Sequence, residues 1–415
     1  IRDRLDNQII LFAPIYNTDS NDKMEEGRRR SQEGSPLAVG LRSNSQGLDL
    51  NRDGIKMEAL ETQGLIKNVL LKWDPEMLVD LHTTNGTWHG YGLTIAPSYH
   101  SAGEPGPYEF TKEKLFPEVV KRAAMNYGAK LGHYGYYFLR QGFPPKAIYT
   151  YNHHPRYIVN QMGLRNKVGI LSEAFAHDRF YKRMNSTYAF VAEILEYTNT
   201  HGRTMAEINA QAAENAIQNV KENAGKVTKG VRFKMEALPE PIPAYRTYDY
   251  TAYKDDKGNT RYLRSGRIIE VPNVKNFAHF EPVISSTLPR GYYIPKELKH
   301  IADHLKSHGV EVKTLKRAKR VSGEVFMIEK YIKAERTFEG RNMATLEGDF
   351  NKEKERFRKG DYWVDMAQPL TNLIFYMLEP QSDDGLLTWN FLDDYLKEKG
   401  VETKKVAYPI FKVYK

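Results

Sequence analysis

The chain has no cysteine among its 415 residues, which excludes disulfides, thiolate metal sites and a cysteine nucleophile. Any metal must therefore be held by His, Asp or Glu. Long apolar runs are also missing. The longest, such as Leu373 to Leu378, fall far short of the roughly 20 residues that cross a bilayer, so no membrane span is expected. There is no apolar N-terminal stretch with a charged start, but the sequence opens on Ile1 rather than Met, so a signal peptide upstream is not excluded. Charge of one sign is in short supply too: 61 Lys and Arg against 52 Asp and Glu leave a formal +9 spread along the chain. The basic clusters Arg28-Arg29-Arg30 and Lys316-Arg317-Ala318-Lys319-Arg320 have no zinc-finger, RNP-like or helix-turn-helix pattern beside them. They read as solvated surface, and no nucleic-acid partner is expected.

What is present is ordinary globular material. Hydrophobic residues at 40% and charged residues at 27% permit a sizeable core, and this length exceeds one core, so two domains are expected. Residues 1–6 read as the tail of a helix and Ile9 to Ile15 as a buried strand ending in the polar turn Asn17 to Asp22. Gly27 to Gly54 is too long and polar for an ordinary connector. A helix fits Lys56 to Lys72, with Met57, Leu60, Ile66, Val69 and Leu70 largely on one side and Trp73-Asp74-Pro75 as its stop. Apolar runs at Met77-Leu78-Val79 and Val168-Gly169-Ile170-Leu171 lead into Asp80-Leu81-His82 and Ser172-Glu173. Helices are expected over Thr187 to Thr198 and, separately, near Met205 to Glu222. Alternating strands and helices predict an α/β fold, a mixed and largely parallel twisted sheet with helices on both faces. In such sheets ligands gather beyond the carboxyl ends of the strands, which puts Asn17, His82 and Glu173 within reach of one pocket.

Beyond residue 225 the chain turns tyrosine-rich and proline-punctuated, which marks residues 226–285 as a β-rich linker region after a first domain over 1–225. A second α/β pattern fills 286–415: strand Tyr292-Tyr293-Ile294, a helix with Leu298, Ile301, Ala302 and Leu305 closed by Gly309, then strand Val310 to Leu315.

Three segments carry residues suited to chemistry. Arg42 and Asp49-Leu50-Asn51-Arg52 lie between the long loop and a helix, where an arginine fork and a neighbouring amide suit a carboxylate; a turn with exposed arginines fits the same residues equally well. His82 closes a strand and precedes the polar turn Thr83-Thr84-Asn85-Gly86, a place from which it can reach a metal, although a lone histidine is more commonly structural. Glu173 ends a buried strand, where desolvation raises a carboxyl toward the range of a general base; pairing with Arg156 or Arg165 is the plainer alternative.

Taken together, these segments resemble the zinc carboxypeptidase family over roughly residues 9–200. The matching features are Arg42 with Asp49-Leu50-Asn51-Arg52, then Val79-Asp80-Leu81-His82-Thr83-Thr84-Asn85-Gly86, then Gly163-Leu164-Arg165-Asn166 leading to Ile170-Leu171-Ser172-Glu173-Ala174. The run Leu378-Glu379-Pro380-Gln381-Ser382-Asp383-Asp384-Gly385 with Thr388-Trp389-Asn390-Phe391 resembles the appended domain of one bacterial branch. The resemblance implies a secreted or periplasmic carboxypeptidase acting on peptides with a free C-terminal carboxylate. It makes His82 the last zinc ligand, Glu173 the base for the zinc-bound water, Arg42 the oxyanion partner, Asn51 and Arg52 the carboxylate clamp, and Asp49 the support of a ligand histidine. It further implies a tyrosine that closes over the substrate, for which Tyr151 is the choice and Tyr157 the rival, and Arg156 becomes a candidate selector of an acidic side chain. The same fold also serves zinc amidases and deacylases, and a non-catalytic relative would use this pocket to bind peptides or cell-wall fragments.

The family takes its first two zinc ligands from a His-x-x-Glu motif ahead of the strand that here begins at Ile9, and no such motif lies there. His100 and Glu104 are one residue too far apart, and adjacent His153 and His154 would point opposite ways on an extended segment. A catalytic zinc normally has three protein ligands. The expectation is an N-terminally truncated chain, inactive alone, whose missing His and Glu precede Ile1.

Overall fold

A computed structural model of the chain describes residues 2–28 and 38–415, so Ile1 and two of the three residues of the first basic cluster, Arg29 and Arg30, lie outside the described residues. The first unit is organised around a four-stranded sheet in the order Met77–Thr83, Val168–Ala174, Leu93–Pro97, Leu131–His133. The first two strands run parallel, as do the last two, while Leu93–Pro97 is antiparallel to Val168–Ala174. Every residue of Val168–Ala174 is buried, as its near-continuous apolar run requires of a central strand.

Side chains alternate across that strand. Val168 and Ile170 face Phe116–Tyr127 and Phe180–Asn223, packing with Leu93, Ile95, Val119, Phe190 and Ile194. Leu171 turns the other way with Ala96 onto Val159 of the helix Ile158–Leu164. The chain is thus mixed α/β, with helices on both faces of this sheet. Each such Val, Leu, Ile or Phe contributes on the order of 1.5–3 kcal/mol by leaving water.

Several boundaries differ from the sequence expectation. Ile9 to Ile15 is no strand: Ile9 and Phe12 are 77% and 71% exposed, because no neighbouring strand among the described residues offers this run a ladder. The expected helix from Lys56 begins only at Leu60, because the Asp53 carboxylate takes the backbone N–H groups of Glu58 and Ala59 and holds the preceding residues in a turn. It continues to Trp73, where Asp74 adopts a left-handed φ of 43°. The two helices expected near Thr187 and Met205 are one helix, Phe180–Asn223, since nothing between Tyr197 and Met205 breaks it. Its first half packs on the sheet and its last turns, through Val220, enter the core of the C-terminal unit.

Residues 226–285 are more than a linker. Thr228–Ala237, Ile242–Lys254 and Thr260–Thr287 pair antiparallel, and Ala147–Tyr149 of the first unit joins Thr260–Thr287 in parallel. The C-terminal unit is built on a seven-stranded sheet whose pairings are all antiparallel. Lys299–Ser307 and the wholly buried Thr371–Leu378 accompany it, and Gly309, at φ 93°, supplies the left-handed turn after the former.

Candidate active site

The parallel register sets His82 beside Glu173 and Leu81 beside Ser172. Asp80, two residues before His82, shares its face of the strand. Its Oδ2 lies 2.9 Å from His82 Nε2. Leu81 takes the opposite face and is 49% exposed, because Met77–Thr83 is the edge strand of the sheet. The His82–Glu173 pair therefore stands at the carboxyl end of two adjacent parallel strands.

Glu173 is buried, and its Oε2 has no hydrogen-bond partner. Burial raises its pKa to about 7, helped by the Asp80 charge and opposed by His82 and Arg42. Burial works the other way on His82, but the Asp80 carboxylate, by charge and hydrogen bond, and then Glu173 outweigh it and lift the imidazole to about 9. Arg42 is close enough for its charge to act on both groups.

Arg42 is itself half exposed and bonds Asp49 Oδ2 at 2.5 Å. The other Asp49 oxygen accepts the Asn51 N–H and caps the short turn Leu50–Arg52, so this carboxylate is committed to Arg42 and the cap rather than to a histidine. Arg52 stacks its guanidinium 4.7 Å over the Tyr157 ring, and among the described residues no carboxylate pairs with it. Tyr151 points inward: its hydroxyl reaches the Pro97 carbonyl and Asn160 Oδ1, both at 3.2 Å. Tyr157, not Tyr151, is the tyrosine against the Arg52 fork.

Of the two roles open to Arg156, the contacts are those of the structural one. Arg156 is 5% exposed, its Nε and backbone N–H bond Asp384 at 2.8 Å each, and it stacks on Trp389, so it holds two units together and cannot select substrates. Asn17 is a helix cap that bonds the Arg42 carbonyl. Sequence reading passed over Asp80, although Asp-x-His on a strand places both side chains on one face. It also passed over Trp88, which stacks on His177 at 3.8 Å with Arg264 3.3 Å above its ring.

Fit to a metal can be tested on this geometry. Among the described residues, the one group of three His or carboxylate ligand atoms in mutual reach is His153, His154 and Asp383; His82, Asp80 and Glu173 do not form one. A His-x-x-Glu spacing does occur downstream, at His308 and Glu311. It cannot complete the site, because His308 is buried against Arg165 and the Ile55 carbonyl. The residues present around His82 thus do not fit a catalytic zinc by themselves. A concavity of about 810 Å³ with Tyr293, Trp363, Lys319 and Lys352 in its wall is lined by none of these residues. No protein-family profile, curated protein or solved structure matches the chain.

Proposed function

We propose that the cleft over His82 and Glu173 works on the C-terminal end of a peptide, in the manner of the zinc carboxypeptidases that the sequence resembles. The observation that carries the reading is the registered His82–Glu173 pair, with Glu173 raised to about 7 in a buried setting. A carboxyl with that pKa is available near neutrality to take a proton from an attacking water. The mixed sheet with helices on both faces and the strand-end placement of the pair agree with the same reading.

Each side chain then has a part. Asn51 and the Arg52 fork, pre-oriented by stacking on Tyr157, receive the terminal carboxylate. Arg42, half exposed beside the pair, faces the oxygen that gains charge when water adds to the scissile carbonyl. Glu173 accepts the water proton and returns it to the departing amine. A bound zinc would supply a polarised carbonyl and a more acidic water. Since the residues around His82 make no three-ligand set, no step is routed through it.

That incomplete set favours a second reading, recognition of peptide C-termini without cleavage. Calorimetry with one short peptide as free acid and as C-terminal amide tests what the two readings share. The acid should bind about tenfold or more tightly, the worth of a charge-assisted pair, and Arg52→Ala should erase the difference. Equal binding of acid and amide would sink both. Release of the terminal amino acid by the zinc-supplied chain, lost in Glu173→Gln, selects hydrolysis over recognition.

A further inference from the structure

We propose that His153, His154 and Asp383 form a second, independent site for a divalent transition-metal ion of the zinc class, which clips the C-terminal unit to the loop carrying Tyr151 and Tyr157. The two histidines lie in the connection between the strand Ala147–Tyr149 and the helix Ile158–Leu164. Asp383 lies just beyond Thr371–Leu378, more than two hundred residues away in sequence. One ligand atom from each lies within 4.8 Å of the others.

Adjacent histidines on an extended segment would diverge, but this segment turns: the Tyr157 N–H bonds the His154 carbonyl, and the two rings come to 4.6 Å. Asp383 is held by the Tyr376 hydroxyl of its own unit and by the Phe233 N–H of the strand Thr228–Ala237, and His153 Nε2 approaches its Oδ2 at 3.2 Å. Those contacts account for the carboxylate as an ordinary buried staple. They leave His153 Nδ1 and His154 Nδ1 unexplained, because both atoms are buried and neither has a partner.

His153 is 2% exposed, so its unpartnered nitrogen cannot turn to solvent without leaving the junction. Leaving such an atom unsatisfied is costly, and a metal ion is one group that answers two imidazole nitrogens and a carboxylate at once. The imidazoles suit this role chemically. Two imidazoles and a carboxylate select a borderline ion such as zinc over calcium or magnesium, which prefer oxygen alone. Ligands of a tetrahedral zinc stand about 3.3 Å apart, so small rotations of the two rings close the set around the ion. Water or the Tyr376 oxygen takes the fourth position.

The test uses the whole 415-residue chain, stripped with a chelator and dialysed against zinc, with bound metal read by elemental analysis and unfolding by a thermal scan. The chain should retain one equivalent and gain in Tm on adding zinc. His154→Ala should weaken zinc binding by more than about 100-fold, beyond what losing an outer hydrogen-bond partner costs, and should keep the chelator-treated Tm. Asp383→Asn preserves the shape of the staple, and should likewise fold and lose the metal-dependent rise. Failure of the parent chain to hold zinc, or full retention by His154→Ala or by Asp383→Asn, overturns the proposal. Neither result bears on the free-acid and amide comparison, which reads the cleft at Arg52.

Discussion

The strand-end pair His82–Glu173 and the junction between the first and C-terminal units use the same chemical groups to different ends. At the junction, the fully buried Asp384 carboxylate accepts from Arg156 twice and from Trp389 Nε1 at 2.9 Å. At the strand ends, Glu173 is also buried yet has one oxygen unpaired, while Arg42 is half exposed on Asp49 and Arg52 stacks on Tyr157. A buried carboxylate with both oxygens bonded across two units is a fastener. A buried carboxyl with one oxygen unanswered, at a strand end beside an imidazole, is a candidate for chemistry.

The largest effect should come from breaking the fastener. Asp384→Ala strands a buried guanidinium and should cost about 3–5 kcal/mol in a denaturant titration of the whole chain. A loss under about 1 kcal/mol would mean that the pair does not join the units. A second junction contact should respond to pH. His304 Nε2 and His308 Nε2 lie 2.8 Å and 3.1 Å from the same Ile55 carbonyl, and burial depresses both pKa values, that of His304 to about 4. At His304 the Ile55 hydrogen bond and then the Glu58 charge oppose burial while His300 adds to it; at His308 the His304 and Arg165 charges add to it and the Ile55 bond opposes. An imidazole whose folded pKa lies below its unfolded one takes up its proton on unfolding, so stability is full above about pH 6.5 and falls as pH drops toward 4. Between pH 7 and 5 the loss should reach up to about 2 kcal/mol per imidazole. Stability measured over that range should flatten in His304→Gln; an unchanged slope would exonerate the pair.

How much of this was legible follows from the range of each signal. The Val168 to Leu171 run reads as a central strand because continuous burial leaves a continuous apolar pattern. The turn at Asp49 to Arg52 reads from Asp and Asn spacing. Ile9 to Ile15 has the same apolar look as Val168 to Leu171, but a strand also needs a neighbour, and pairing is not written in the strand itself. The partner of Arg156 is hidden for a related reason: Asp384 is 228 residues away, and no local pattern reports it. His153 and His154 were dismissed on the geometry of an extended segment, and the turn after them, which only the folded chain displays, reverses that argument.

The smallest expected effect has the opposite sign and sharpens the contrast best. Glu173→Gln removes a carboxylate that burial opposes while keeping its size and an acceptor oxygen, and His82 keeps its bond to Asp80. The folded pKa of Glu173 lies above its unfolded value, so the carboxyl costs stability once pH has risen through about 7 and costs none below about 4.5. At pH 8 the variant should therefore unfold later than the parent by about 1 kcal/mol, in the range by which one unsatisfied buried polar atom destabilises. At pH 4 the two should coincide. Asp384→Ala should stay destabilised under both conditions, because a stranded guanidinium keeps its charge throughout. If Glu173→Gln instead weakened the fold at pH 8, the carboxylate would be a fastener like Asp384, and its place in the cleft would be structural.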